Sequence, residues 1–80
     1  MEKIDCSPLD LIVIYDHPID YPKNYVARIF KLDKQQQCMR PSNEFYLSDN
    51  LEELRDMIPF GKVRLERDFK DDPVIVESWF

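Results

Sequence analysis

The sequence predicts an α+β fold: a mainly antiparallel sheet of about five strands with one short helix on one face. Stretches rich in β-branched and aromatic residues alternate with polar, proline-containing loops, and one later stretch has helical spacing and end signals. The predicted order is β-β-β-α-β-β. Since no Gly/Ser-rich linker or internal repeat interrupts the chain, residues 1–80 are predicted to form a single domain.

The first strand is predicted over Asp10–Tyr15, which is apolar on both faces and therefore typical of a central strand. It ends in the loop Asp16–Asn24, where Pro18 and Pro22 remove backbone donors and favour an extended path. The second strand is predicted over Tyr25–Leu32, which makes the two strands a hairpin with a long connection.

The other strands are predicted from short β patterns on both sides of the helix. In the strand after the helix, Val63 and Leu65 alternate with charged residues and are predicted to face inward. The predicted elements are a turn at Asp33–Gln37, strands at Glu44–Leu47, Lys62–Arg67 and Val74–Phe80, and a turn at Asp68–Asp72.

The helix is predicted from its capping residues and its apolar spacing. Asp49 is the predicted N-cap, and Glu52 three residues later completes a capping box. Pro59 and Gly61 end the helix, which is about ten residues long. Its apolar stripe is Leu51, Leu54 and Ile58.

Both faces of the predicted sheet are partly apolar, although one short helix covers a single face. In the first strand, Ile12 and Ile14 alternate with Leu11 and Val13, so apolar side chains point both ways. We therefore expect a cover on the second face. The candidates are the N-terminal segment with the long loops, a second copy in a homodimer, or a partner protein.

Composition excludes several classes of function. The chain has 11 basic and 16 acidic residues and a net charge of -5, which argues against general nucleic-acid binding and against an anionic membrane. Its longest apolar run, Leu11–Tyr15, is too short for a signal peptide or membrane span. Cys6 and Cys38 lack metal-site spacing and are predicted to be reduced thiols in a cytoplasmic protein.

Catalytic signatures are weak, so we predict no enzyme and no cofactor. Asp16, His17 and Asp20 suggest metal or acid/base chemistry, but the single His and the neighbouring proline favour a turn. A metal-dependent enzyme centred on these three residues is the third alternative. One glycine in the chain is too few for a glycine-rich phosphate loop.

Two surfaces are suited to binding another protein: the tyrosine-containing loop and the acidic face of the helix. Tyrosines are frequent in binding hot spots, although the same rings can also pack as a small core at the end of the sheet. The predicted partner-binding residues are Tyr15, His17, Tyr21, Lys23, Glu52, Glu53 and Asp56.

A second hypothesis is an oligomeric sponge that sequesters an anionic nucleotide. Arg28, Arg40 and Arg64 would bind the anion from one sheet face, while Tyr21 stacks on the base. The competing interpretation is cross-strand ion pairing, which contributes little when exposed. The available carboxylates for such pairs are Glu44, Glu66 and Glu77.

Several segments resemble small uncharacterised accessory proteins of phages and prophages. They are Tyr15–Pro18, Asp20–Lys23, Tyr25–Arg28, Leu51–Pro59 and Asp71–Glu77. The resemblance carries no catalytic motif. It implies a compact protein that binds and inhibits host or defence components. The leading hypothesis is therefore a non-enzymatic, phage-type accessory or anti-defence factor that binds and blocks another protein.

Overall fold

The most apolar strand of the sequence lies at the centre of a five-stranded antiparallel sheet. The computed structural model describes residues 3–4, 6–7, 9–66 and 73–80. The strand order is β3-β2-β1-β5-β4, and the α+β class and the β-β-β-α-β-β chain order are confirmed. The elements are β1 (Leu11–Asp16), β2 (Tyr25–Asp33), β3 (Cys38–Ser48), α1 (Leu51–Asp56), β4 (Arg64–Glu66) and β5 (Ile75–Trp79).

The core lies between the sheet and α1. Ile12 and Ile14 of β1 pair with Ile29 and Ala27 of β2, and all four side chains are fully buried. Leu54 of α1 packs on this layer and is also fully buried. Because side chains alternate along a strand, this register directs every second residue of β1 and β2 to the opposite face.

The N-terminal segment covers the same face as the helix. Ile4 is buried in the core cluster, and its N–H donates to the carbonyl of Met57 just after α1, at 2.8 Å. Asp10 accepts a hydrogen bond from the backbone N–H of Ser7 at 2.9 Å, and the carbonyl of Asp10 accepts one from Lys62 at 2.5 Å. This segment is therefore not the cover of the second sheet face.

The helix begins one residue later and is shorter than the sequence predicts. Asn50, not Asp49, is the N-cap: its backbone is extended, and its side chain accepts from the N–H of Glu52 at 2.9 Å. Glu52 pairs with Arg55 at 2.6 Å, so the predicted capping box is wrong. The helix has 6 residues instead of about ten.

The other differences concern the ends of the sheet. β3 has 11 residues and extends well before the predicted start at Glu44, because it pairs with β2 as far as Cys38. Val63 and Leu65 are 64% and 47% exposed, so the prediction that they face inward is wrong.

The predicted turn at Asp68–Asp72 lies outside the described residues. No helix in the described part of the chain is long and apolar enough to span a membrane.

A buried carboxylate joins the helix to the sheet. Glu77 of β5 is 0% exposed and accepts two hydrogen bonds from the Arg55 guanidinium of α1, at 2.7 and 3.2 Å. The indole N–H of Trp79 donates to the same carboxylate at 2.7 Å, and Nε of Arg64 lies 3.4 Å from it. A buried charge is tolerated when its hydrogen bonds are made, as here.

These contacts set the ionisation of Glu77. Burial opposes the charged form and raises the pKa, but the hydrogen bonds from Arg55 and Trp79 and the charges of Arg55 and Arg64 outweigh it. The pKa of Glu77 is therefore lowered from the usual 4.5. The hydrogen bonds and charges of Glu77 and Glu52 raise the pKa of Arg55 above its usual value, although burial opposes them, so Arg55 and Glu77 are both charged at neutral pH.

We predict that Glu77→Gln lowers the free energy of unfolding by about 2 kcal/mol, because Arg55 keeps its partial burial and loses its charged partner. Urea denaturation followed by circular dichroism measures the change. Glu66→Gln is the matched control, since Glu66 lies opposite Glu77 on β4 and is exposed. It should change the stability by less than about 0.5 kcal/mol. Equal effects of the two substitutions would contradict the role assigned to Glu77.

Stability is also expected to depend on acid pH. Because the folded pKa of Glu77 lies below its unfolded value, the unfolded chain takes up the proton first as the pH falls. The stabilisation is fully present above pH 4.5 and is lost as the pH falls through the lowered folded pKa. Urea titrations at a series of acid pH values should show the wild-type advantage over Glu77→Gln shrinking in this window. A constant difference would refute the coupling.

Candidate functional site

The candidate site lies on the sheet face opposite α1, here called the open face. One row of side chains crosses this face, because the register pairs Phe45 with Arg28, Arg28 with Val13, Val13 with Ser78 and Ser78 with Leu65. The row thus runs from the edge strand β3 to the edge strand β4. It is mainly apolar and has one guanidinium, on β2.

A second row of the open face lies next to the β1–β2 connection. Leu47 pairs with Val26, Val26 with Tyr15 and Tyr15 with Ile75. Val26 is 1% exposed, which means that the middle of this row is covered, whereas Leu47 at the edge is 41% exposed. The open face is therefore covered at its centre and exposed along β3.

The cover is the connection between β1 and β2, residues 17–24, here called the tyrosine loop. Its ends are joined by a hydrogen bond from the N–H of His17 to the carbonyl of Asn24 at 3.0 Å. Within it, the N–H of Tyr21 donates to the carbonyl of Pro18 at 2.9 Å. The Tyr21 ring packs against Phe45 with centroids 5.3 Å apart, so the loop folds over the open face.

An open groove of about 340 Å³ remains between the tyrosine loop and the strands. Arg28 lies in it with its side chain 32% exposed, 3.4 Å from Asp20 of the loop and 5.9 Å from the Phe45 ring centroid. This arrangement offers a cation, a carboxylate and aromatic surface within one shallow depression. The groove is lined by Tyr15, Pro18, Asp20, Val26, Arg28, Phe30, Pro41 and Val74.

The predicted loop residues have different surroundings. Tyr15 and Tyr21 lie at the open face, as a binding surface would require, and Lys23 is exposed in the loop. His17 packs its ring edge-on against Tyr25 at 4.8 Å and contacts the carboxylate of Asp16. Tyr25 packs against the core cluster.

The proposed metal triad is not assembled. Asp16 and His17 contact each other, but Asp20 turns away to pair with Arg28. Within the described residues, no group of three or more His, Cys, Asp or Glu side chains is placed to hold a metal ion. The third alternative, a site shared by these three residues, is therefore not supported by their positions.

The arginines of the nucleotide hypothesis do not meet either. Arg28 faces the open face, whereas Arg40 and Arg64 lie on the helix face, on β3 and β4 at opposite edges of the sheet. Arg40 pairs with Asp33 at 3.1 Å, and Arg64 lies 3.4 Å from Glu77. The expectation of one shared sheet face is wrong, because their strand order and side-chain alternation separate them.

The acidic side of α1 is exposed, as expected for a binding surface or a solvated one. Glu52, Glu53 and Asp56 are all exposed, and Glu52 makes an ion pair with Arg55 at 2.6 Å. The backbone carbonyl of Asp56 accepts a hydrogen bond from Lys3 at 2.6 Å.

The exposed apolar side chains of the open face were missed by the sequence analysis. Phe45, Leu47 and Leu65 are 39%, 41% and 47% exposed. The signal was present in part, since Phe45 and Leu47 are two residues apart and therefore share a face. What the sequence does not contain is which face the helix covers.

The chain matches no protein-family model, no curated protein and no solved structure.

The contact between the tyrosine loop and the sheet gives a direct prediction. A double-mutant cycle of Tyr21→Ala and Phe45→Ala should give a coupling of about 0.5–1 kcal/mol in the free energy of unfolding, because the two rings pack together. The control cycle pairs Tyr21→Ala with Phe60→Ala, since Phe60 is fully exposed and is not in the groove. A coupling near zero in the first cycle would show that the loop does not dock on the open face.

Proposed function

We propose that this chain is a non-enzymatic binding protein that attaches to another protein through the open face and blocks it. The proposal includes the class implied by the phage-type resemblance, a compact accessory or anti-defence factor acting in the cytoplasm. The partner surface is the apolar strip formed by Phe45 and Leu47 on β3, together with Tyr21 and Arg28.

The observation that carries the proposal is the exposed apolar strip beside a groove with a guanidinium. Phe45 and Leu47 are both about two-fifths exposed on one strand, whereas Leu65, also exposed, lies at the opposite edge of the same face beyond the buried Val13. Aromatic residues and arginine are enriched in the buried centres of protein interfaces. Contiguous exposed apolar surface on a small protein typically marks such an interface.

The two alternatives receive less support. An anion held by several arginines requires those side chains to converge, and Arg28, Arg40 and Arg64 lie on two faces and three strands. A metal-dependent reaction requires the three residues of the Asp16 cluster to converge, and Asp20 is turned towards Arg28. A second copy of this chain, forming a homodimer through the open face, would cover the same apolar strip.

We predict that the tagged protein retains one host protein from nuclease-treated lysate in near-stoichiometric amount. Phe45→Lys should abolish the retention, because it places a charge in the apolar strip. Phe60→Lys is the matched control: Phe60 is fully exposed and lies outside the open face, so this variant should retain the partner. Mass spectrometry of the eluate measures both outcomes.

Two results would contradict the proposal. One is a blank eluate together with stabilisation of the protein by nucleotides, which favours the sponge: a ligand present at 100 times its dissociation constant raises the free energy of unfolding by about 2.7 kcal/mol. The other is equal retention by wild type and Phe45→Lys, which places the partner on a different surface.

A further inference from the structure

The strand β3 forms one edge of the sheet and is the longest strand of the fold. It has 11 residues and pairs with β2 on one side, and no strand in the described part of the chain pairs with its outer side. The opposite edge strand, β4, has 3 residues. A long edge strand presents backbone donors and acceptors that another strand can pair with.

The first half of β3 is protected against such pairing, and the second half is not. Pro41 lacks a backbone donor, and the register with β2 shifts between Arg28 and Phe30, so that residues 42–44 form a bulge. The hydroxyl of Ser42 stabilises the bulge by donating to the carbonyl of Ile29 at 3.0 Å and accepting from the N–H of Glu44 at 3.2 Å. Regular pairing with β2 returns over Phe45–Ser48.

The side chains of this second half are suited to a neighbouring strand. Phe45 and Leu47 point to the open face and are 39% and 41% exposed at the edge of the sheet. A strand added beside β3 would place every second side chain next to these two, at the spacing of ordinary cross-strand pairs. Aliphatic residues at alternate positions of the added strand would bury this surface.

Charge decides which strand is added. Residues 43–56 contain five acidic residues and one basic residue, which gives -4 of the total charge of -5. Two copies of this chain pairing edge to edge would bring two such segments together and repel each other, whereas a basic segment would be attracted. The acidic residues, all exposed, are Glu44, Asp49, Glu52, Glu53 and Asp56.

We propose that the outer edge of β3 at Phe45–Ser48 binds an extended basic segment of the partner protein as a sixth strand. The segment alternates aliphatic residues, which pack beside Phe45 and Leu47, with lysine or arginine, which face the acidic side chains of residues 43–56. This inference rests on the proposed function and specifies the chemistry of the partner at the same surface.

The probe is an end-capped peptide of eight residues that alternates lysine and valine. Titrated into isotope-labelled protein, it should shift the backbone amide signals of Phe45–Ser48. It should slow hydrogen exchange at the alternate amides of this segment that point away from β2, since only these form new backbone hydrogen bonds with an added strand. Affinity should fall as salt is raised. The same peptide with glutamate in place of lysine should bind at least about tenfold more weakly, because each of its charges is repelled.

Two variants test the charge argument, and both change the net charge by the same amount, from -5 to -3. Glu44→Lys should weaken the lysine–valine peptide about fivefold, because an attraction at the edge becomes a repulsion. Glu66→Lys makes the same change on β4 at the opposite edge and should leave the affinity within about twofold. A peptide methylated at every backbone nitrogen should lose binding, because neither of its edges can then donate to the ladder.

The inference is overturned if the peptide does not bind, if its shifts map to another surface, or if Glu44→Lys and Glu66→Lys have equal effects. It is also overturned if the protein elutes as a dimer that Glu44→Lys stabilises, since a second copy would then occupy the edge. These results are distinguishable from failure of the proposed function: Phe45-dependent capture of a host protein without peptide binding preserves the function and refutes the added strand. If the peptide binds at β3 but no host protein is captured, the added strand is supported and the proposed function is refuted.

Discussion

The fully buried carboxylate of Glu77 fixes the position of the helix relative to the sheet. It accepts hydrogen bonds from Arg55 of α1 and from Trp79 of its own strand, with Arg64 of β4 nearby. A charge in the core is strongly unfavourable without these partners, so any shift of α1 that separates Arg55 from Glu77 is penalised. The helix is therefore held over the face that contains Ile12 and the rest of the core.

Because the helix is held on one face of the sheet, the other face is covered by a loop. The chain has 80 residues, and its described part contains one helix of 6 residues. Few residues are therefore left to form a second layer over the sheet. The tyrosine loop covers Val26 at the centre of the open face, but Phe45 and Leu47 at the edge remain exposed. The surface proposed for binding is thus a consequence of which face the helix covers, and its aromatic and cationic side chains lie on the face opposite the core.

Local sequence patterns were sufficient to predict the strands and the helix, but not which of their side chains are buried. The β-branched run of β1 and the apolar spacing of α1 predicted both elements, because these signals are local in the chain. The N-cap was displaced by one residue since Asp49 and Asn50 are both capable caps, and backbone geometry chooses between them. The alternation of apolar and charged residues around Leu65 predicted that neighbouring side chains of β4 point to opposite faces of the sheet, but it did not indicate which face is covered. Arg28 and Arg40 were separated by strand order and a bulge, which are properties of long-range pairing.

The distribution of charge gives the exposed edge a second role. Proteins commonly protect edge strands with proline, bulges and charges, and β3 has all three: Pro41, the shift after Arg28, and the acidic residues around it. Charges of one sign repel a second copy of the same chain but attract a strand of opposite charge. Under the proposal, an edge with this charge disfavours pairing with a second copy and favours pairing with a basic strand. In this proposal the same carboxylates have two effects: they repel a second copy from the exposed apolar strip, and they select a basic partner strand to cover it.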